Sequence, residues 1–193
     1  VVNAQYLSNQ VQYTQSTQEF LQQVTVPLAL KTLLKISILA ANQQKLKYFQ
    51  AQVTVQGQPF TTDELQLQSS DSLRLISTVS YSIQFSGFSA LLYQSITGSL
   101  TINNLILVNQ LTIPIVVNKN IILEVQGATS VKFGSTSLQQ FPDSNLYYAI
   151  NNQLPQIAAL TAFKSDAHVT FSQQVQLQSN ENYFSTTMLL NTV

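Results

Sequence analysis

The sequence contains no cysteine, so neither a disulfide framework nor a cysteine-based metal site can exist. It is also poor in charge, because Lys, Arg, Asp and Glu make up 8% of the chain against about 25% in a typical soluble domain. The eight basic residues are scattered and the formal net charge is zero. This argues against nucleic-acid binding, which needs clustered Lys and Arg, and against a polybasic membrane-surface site.

Residues for catalysis are scarce as well. The one histidine, His168, would have to serve any Ser–His–Asp triad, with Asp166 nearby, and no Gly-x-Ser-x-Gly motif accompanies it. The only adjacent acidic pair, Asp63-Glu64, is interpreted as a solvated loop and not as a metal site. We therefore predict a protein that is not an enzyme and has no catalytic residue, metal or cofactor.

Long hydrophobic runs are absent too. The nearest candidate for a transmembrane segment, residues 24–41, contains Lys31, Lys35 and a proline, and spanning needs about 20 apolar residues. The first residue is Val1 and the only methionine is Met188. We interpret this as a secreted protein whose signal peptide has been removed, the alternative being a trimmed or renumbered chain.

Amides take the place of charge, with 27 glutamines and 14 asparagines. In residues 49–56, Gln50, Gln52 and Gln56 alternate with apolar side chains. An amide donates and accepts hydrogen bonds at any pH, whereas a carboxylate is neutralised below about pH 4. Such a surface favours an extracellular location. No Asn-x-Ser/Thr sequon occurs, so N-glycans are not expected.

The dominant periodicity is two, which is typical of half-buried strands. It predicts strands over 28–40, 46–56, 79–85, 95–103, 105–109, 111–117, 121–126, 131–133, 168–178 and 183–191. Pro114 within one of them indicates an edge strand or a bulge. Many short strands predict an all-β fold, an antiparallel β-sandwich of immunoglobulin-like or jelly-roll-like type.

One or two short helices are expected beside these strands. Ser16 to Glu19 matches a capping box, and residues 143–163 carry apolar side chains at helical spacing, interrupted by Pro155. In the second segment, Tyr147-Tyr148 lie beside Asn151-Asn152, a combination that could line a sugar-binding surface. The preferred interpretation is that these tyrosines pack the helix onto the sheet.

Residues 1–15 differ from the rest of the chain. They contain no Gly, no Pro and no charged side chain, and their apolar residues are spaced among polar ones and should not remain exposed on a monomer. We predict an extended N-terminal arm, 1–15, that pairs with another subunit, followed by a single β-sandwich domain, 16–193. The apolar arm residues expected in this contact are Val2, Ala4, Tyr6, Leu7, Val11 and Tyr13. The competing interpretation makes the arm the first strand of its own sheet.

An uncharged arm over 1–15 followed by a Gln-, Ser- and Thr-rich sandwich pattern over 28–191 resembles the non-type-IV pilins of archaeal surface filaments, the thread and bundling-pilus subunits. The resemblance implies a sandwich that lacks one strand, which a neighbouring subunit supplies with its arm. It further implies a homopolymer outside the cell, with no membrane association of the mature form and with contacts to the cell surface or neighbouring filaments. Two alternatives stay open: a virion protein (capsid, turret or fibre) from a harsh environment, and a secreted binding or hydrolytic module.

Overall fold

The computed structural model describes residues 30–70, 73, 75–151, 153–164, 170–178 and 183–187. Regular structure in these residues is almost entirely β, with fifteen strands and one helix of four residues. The strands are joined mainly in antiparallel sheets. The prediction of an all-β antiparallel sandwich fold is therefore confirmed.

Most strands alternate between buried and exposed side chains, as a sheet with one covered face requires. In chain order, the elements are β1 (Leu33–Ala40), β2 (Ala51–Val55), β3 (Gln58–Phe60), β4 (Glu64–Gln68), β5 (Thr78–Phe85), α1 (Ser89–Leu92), β6 (Ile96–Thr101), β7 (Val108–Ile115), β8 (Asn120–Gln126), β9 (Ser130–Phe133), β10 (Thr136–Ser137), β11 (Gln139–Gln140), β12 (Leu146–Ile150), β13 (Ile157–Phe163), β14 (Thr170–Gln176) and β15 (Tyr183–Thr187).

The chain divides into two compact units, each made of several stretches of sequence. Unit 1 falls within Val1–Leu39, Gln52–Ile83 and Ile96–Pro114. Unit 2 falls within Ala40–Ala51, Gln84–Ser95 and Ile115–Val193. The prediction of one domain over 16–193 stays a prediction.

Unit 1 contains most of two sheets, with strand orders β4-β1-β7 and β3-β2-β5-β6. Its core is aliphatic: on β1, Leu34, Ile36 and Ile38 are fully buried while Lys35 and Ser37 are only half-buried. Strand β7, which carries Pro114, stands at the end of its sheet order. This agrees with the expectation for a residue that cannot donate a backbone hydrogen bond.

The β2–β3 hairpin shows how a sequence with five glycines closes its turns. Val55 pairs with Gln58, so the loop consists only of Gln56 and Gly57, both with positive φ (48° and 77°). Two consecutive left-handed residues form a type I′ turn, whose twist matches that of the flanking strands. The predicted strand end at Gly57 is thus a tight hairpin.

Unit 2 is a sandwich of two four-stranded sheets, β10-β9-β13-β14 and β11-β12-β8-β15. Both sheets contribute buried side chains to its core. One sheet supplies Ile121, Leu123 and Tyr147, and the other supplies Phe133 and Leu160. Strand β15 runs parallel to β8, whereas the other registered pairs of the described residues are antiparallel.

The helix predicted over 143–163 is wrong. The structure has β12 and β13 there instead, with Tyr148 opposite Ile122 and Leu160 opposite Phe133. A short apolar run fits either periodicity, and Pro155 leaves segments too short for a stable helix. Pairing with the buried strand β8 satisfies the backbone of β12 instead. The one helix of the described residues, α1, was not predicted, and the Ser16–Glu19 capping box and the arm lie outside those residues.

Candidate functional site

Most residues singled out by the sequence for function fall outside the described part of the chain. These are His168, Asp166 and the arm residues Val2, Ala4, Tyr6, Leu7, Val11 and Tyr13. The acidic pair is described: Asp63 precedes β4, and its carbonyl accepts a hydrogen bond from the Ile38 N–H at 2.8 Å, while Glu64 is the exposed first residue of that strand. Among the residues that the structure covers, no three His, Cys, Asp or Glu side chains are grouped as a metal site would need.

Within the part of the chain that the structure describes, no helix has the length and the apolar character needed to cross a membrane.

Unit 2 contains an open cleft of about 490 Å³. Its lining comes from α1 and from strands β10, β11 and β12, and none of it is charged. The lining residues are Ala90, Leu91, Thr136, Ser137, Gln139, Tyr148, Ala149, Ile150 and Asn151.

The cleft forms where the chain changes sheets. Strand β10 pairs with β9, the Leu138 N–H donates to the Val131 carbonyl at 2.8 Å, and the next two residues pair with β12 as β11. Each of these edge strands is only two residues long. Among the described residues, each of these strands therefore pairs with only part of the edge of its sheet. The cleft lies beside the part of β12 that β11 does not pair with.

The backbone N–H and C=O of Ile150, on β12, face the cleft. The Phe141 N–H donates to the Leu146 carbonyl on the β11 side, whereas the Asn151 N–H donates to the Lys119 carbonyl on the β8 side. Since backbone groups alternate along a strand, those of Ile150 point to the β11 side. Strand β11 begins at Gln139, opposite Tyr148, so Ile150 has no strand partner on that side among the described residues.

Aromatic packing fixes Tyr148 at the cleft. Its ring meets Phe88 edge-on at 5.5 Å, and Phe88 also contacts Tyr48 at 5.1 Å and Phe141 at 5.0 Å. Phe88 itself is buried. A ring held by such contacts has little rotational freedom left to lose when a ligand binds.

The neighbouring residue Tyr147 points into the core, as alternation along a strand demands. It is buried, and its hydroxyl donates to the Ala128 carbonyl at 2.6 Å. Burial raises the pKa of this hydroxyl above the ordinary value of 10.0. The predicted pair is thus divided: Tyr147 packs in the core, and Tyr148 lines the cleft together with Asn151.

A second unusual surface lies in unit 1, where four consecutive apolar residues, Leu105–Val108, are exposed. We call them the apolar loop. The exposed fractions are 89% for Leu105 and 52% for Leu107. The sequence predicted a strand over 105–109, but these residues precede or only begin β7. The signal for the loop was the unbroken apolar run, which does not alternate.

Hydrogen bonds hold the base of the apolar loop. The Asn109 side chain is buried and brackets Asn103: its Oδ1 accepts from the Asn103 N–H at 2.8 Å and its Nδ2 donates to the Asn103 carbonyl at 3.0 Å. The Asn103 Oδ1 in turn accepts from the Leu105 N–H at 2.9 Å. The Leu33 N–H donates to the Leu107 carbonyl at 2.7 Å. These hydrogen bonds fix the backbone of the apolar loop in a conformation that leaves its apolar side chains exposed to solvent.

No protein-family model and no curated protein matches this chain. Among solved structures, it is similar to the Bacillus anthracis TIE protein, at 10% identity and a TM-score of 0.32, over 82% of this chain and 33% of that one. It is also similar to a streptococcal ancillary pilin, at 5% identity and a TM-score of 0.27, over 92% of this chain and 69% of that one. The chain thus spans about a third of the TIE protein. Both TM-scores are low, so the function is argued from this chain's own residues.

Proposed function

We propose that this protein is a structural subunit of an extracellular filament, in which the arm, residues 1–15, of one copy adds as a strand to the next. The observation that carries the proposal is the apolar loop, Leu105–Val108. It is fixed at its base and exposed on a protein whose surface is otherwise rich in amides. Contiguous exposed apolar side chains mark interaction sites on soluble proteins.

Covering this loop would release a useful amount of free energy. Full burial of one large aliphatic side chain stabilises by about 1.5–3 kcal/mol, so four partly exposed ones supply several kcal/mol. Because hydrogen bonds already fix the loop, little conformational entropy is lost on association.

The arm has the character that this surface needs in a partner. It is uncharged and carries apolar side chains, so it can lie against the loop without burying an unpaired charge. The loop leads directly into β7, an edge strand, where an extended segment can add by backbone hydrogen bonds. Pro114 restricts such pairing to the earlier residues of β7. Fifteen extended residues span about 50 Å, which exceeds the length of an eight-residue strand.

Strand donation of this kind is heterologous, since one copy uses its arm and the other its body. A heterologous contact that does not close into a ring generates an open filament. The extracellular location is supported by the replacement of charge with amides, which do not titrate when the outside pH changes.

Deleting residues 1–15 tests the proposal. The shortened protein should stay monomeric under conditions in which the full chain polymerises, as seen by sedimentation and electron microscopy. A synthetic peptide of residues 1–15 should bind it. The double substitution Leu105→Gln and Leu107→Gln should reduce polymerisation strongly, whereas Ile157→Gln, which changes an exposed apolar residue of unit 2, should not.

Unchanged polymerisation after the deletion would overturn strand donation. So would a structure of the assembled protein in which residues 1–15 pair only within their own chain. Equal effects of the loop substitutions and of Ile157→Gln would remove the apolar loop from the contact.

A further inference from the structure

We infer that the cleft of unit 2 is a binding site for a neutral oligosaccharide. Five of the residues that line it are polar: Thr136, Ser137, Gln139, Tyr148 and Asn151. This inference is independent of the proposed filament contact, which uses unit 1.

The absence of charge in the lining restricts the class of ligand. No Lys, Arg, Asp or Glu is among the residues that line the cleft. The nearby Lys119 donates its ammonium to the Leu154 carbonyl at 2.7 Å. A phosphate, a carboxylate or a divalent cation would find no opposite charge here. A neutral polar ligand carries no charge, so it does not need one.

The polar groups of the cleft match those of a sugar. A hydroxyl or an amide both donates and accepts hydrogen bonds, as do the hydroxyls of a pyranose. Among the described residues, the side chains of Thr136, Ser137, Gln139 and Tyr148 make no hydrogen bond to another protein group. Asn151 accepts from the Gln153 N–H at 2.9 Å through Oδ1, and this leaves its Nδ2 to donate to a ligand.

Size and apolar surface fit the same class of ligand. A volume of about 490 Å³ lies within the range of roughly 300–1,000 Å³ that is usual for small-molecule sites. Tyr148 offers a fixed aromatic surface for the C–H face of a sugar ring, and Leu91 adds aliphatic surface. The polar groups of the cleft can therefore bond to the hydroxyls of a sugar, while the ring of Tyr148 packs against its C–H face.

An added peptide strand is the competing occupant, and the backbone geometry disfavours it. Among the described residues of β12, Ile150 alone directs an N–H and a C=O toward the cleft without a paired strand, because the pairing with β11 stops at Tyr148 and β12 ends at Ile150. One such residue supplies two hydrogen bonds, each worth about 0.5–1.5 kcal/mol net, whereas strand addition relies on a row of them. The hydrogen-bonding capacity of this cleft resides in its side chains.

Saturation-transfer-difference NMR on the full chain tests the site, with maltose, cellobiose and N,N′-diacetylchitobiose as probes. At least one disaccharide should bind, and Gln139→Ala and Tyr148→Ala should each weaken its affinity at least about tenfold. The matched control is Gln174→Ala, which changes an exposed glutamine on β14 of the same unit. Because Gln139 is exposed and its side chain makes no hydrogen bond to another described residue, Gln139→Ala keeps the test valid if Tyr148→Ala fails to fold.

Absence of binding by all three sugars at about 10 mM would overturn the inference, since that excludes even weak recognition. Binding that Gln139→Ala and Gln174→Ala change equally would overturn it as well. A peptide of residues 1–15 that shifts the Ile150 amide resonance while the sugars shift nothing would assign the cleft to strand addition instead.

Discussion

The two units share an architecture of paired sheets but differ in what fills them. In unit 1, the described aromatic residues are Phe60 and Tyr81, and both are only half-buried over an aliphatic core. In unit 2, Phe88, Tyr93 and Phe133 are buried, and a chain of ring contacts connects Tyr48, Phe88 and Tyr148. The described core of unit 1 is thus aliphatic, whereas unit 2 adds buried aromatic rings to a core that also contains many aliphatic side chains.

This difference corresponds to the two surfaces. Aromatic pairs prefer specific edge-to-face geometries, so a ring at the surface, such as Tyr148, is held at a fixed angle. Burial of aliphatic surface is non-directional and needs no such geometry. Unit 1 exposes an aliphatic run suited to a contact between copies, and unit 2 presents an oriented polar cleft suited to a small ligand.

The largest effect that tests this comparison is expected from Phe88→Ala in unit 2. Phe88 contacts Tyr48, Phe141 and Tyr148, so its loss should lower the free energy of unfolding by about 3–5 kcal/mol. A smaller truncation in the aliphatic unit, Ile113→Val at a fully buried position, should cost about 0.5–1.5 kcal/mol. Urea unfolding followed by tyrosine fluorescence measures both. The contrast between the units fails if Phe88→Leu, which keeps an apolar side chain, costs no more than Ile113→Val.

A middle-sized effect is expected at the base of the apolar loop. Asn109→Ala leaves the Asn103 N–H and C=O without their partner and should cost about 1–3 kcal/mol. Asn104→Ala, at the exposed position just before the apolar loop, is the control and should cost less than about 0.5 kcal/mol. Hydrogen exchange at Leu105 should accelerate only in the first variant. Equal exchange in both variants would show that the loop is not held by Asn109.

How far the sequence predicted this molecule depends on how strictly each segment alternates. Strands β1 and β5 were predicted because one face is buried and the other is not, and Pro114 correctly indicated an edge strand. Prediction failed over Leu146–Ile150 and 105–108, where adjacent apolar residues do not alternate. Both segments belong to the candidate surfaces.

The cleft itself had no local signal in the sequence. It depends on a change of partner, in which Leu138 still bonds to β9 and Gln139 already pairs with β12. That change is decided by pairing between distant segments. The sequence did bring Tyr148 and Asn151 together as a candidate sugar surface, but it placed them on a helix. The residue types carried the chemistry, and the tertiary pairing decided which side chain faced the cleft.

The smallest expected effect concerns Tyr147, a core residue of unit 2 whose hydroxyl donates to the Ala128 carbonyl. Because burial raises its pKa in the folded state, the folded protein retains this proton at a pH where the unfolded chain has lost it. Stability is therefore unaffected by this group below about pH 10 and falls as the pH rises from there through the raised folded pKa. Tyr147→Phe should cost about 0.5–1.5 kcal/mol at neutral pH, through the lost hydrogen bond, and should remove this alkaline decline. Tyr81→Phe in unit 1 should leave the decline in place. Urea unfolding at about pH 8 and about pH 11 measures the difference, and a cost of Tyr147→Phe that is the same at both values would show that Tyr147 contributes nothing to the alkaline sensitivity of unit 2.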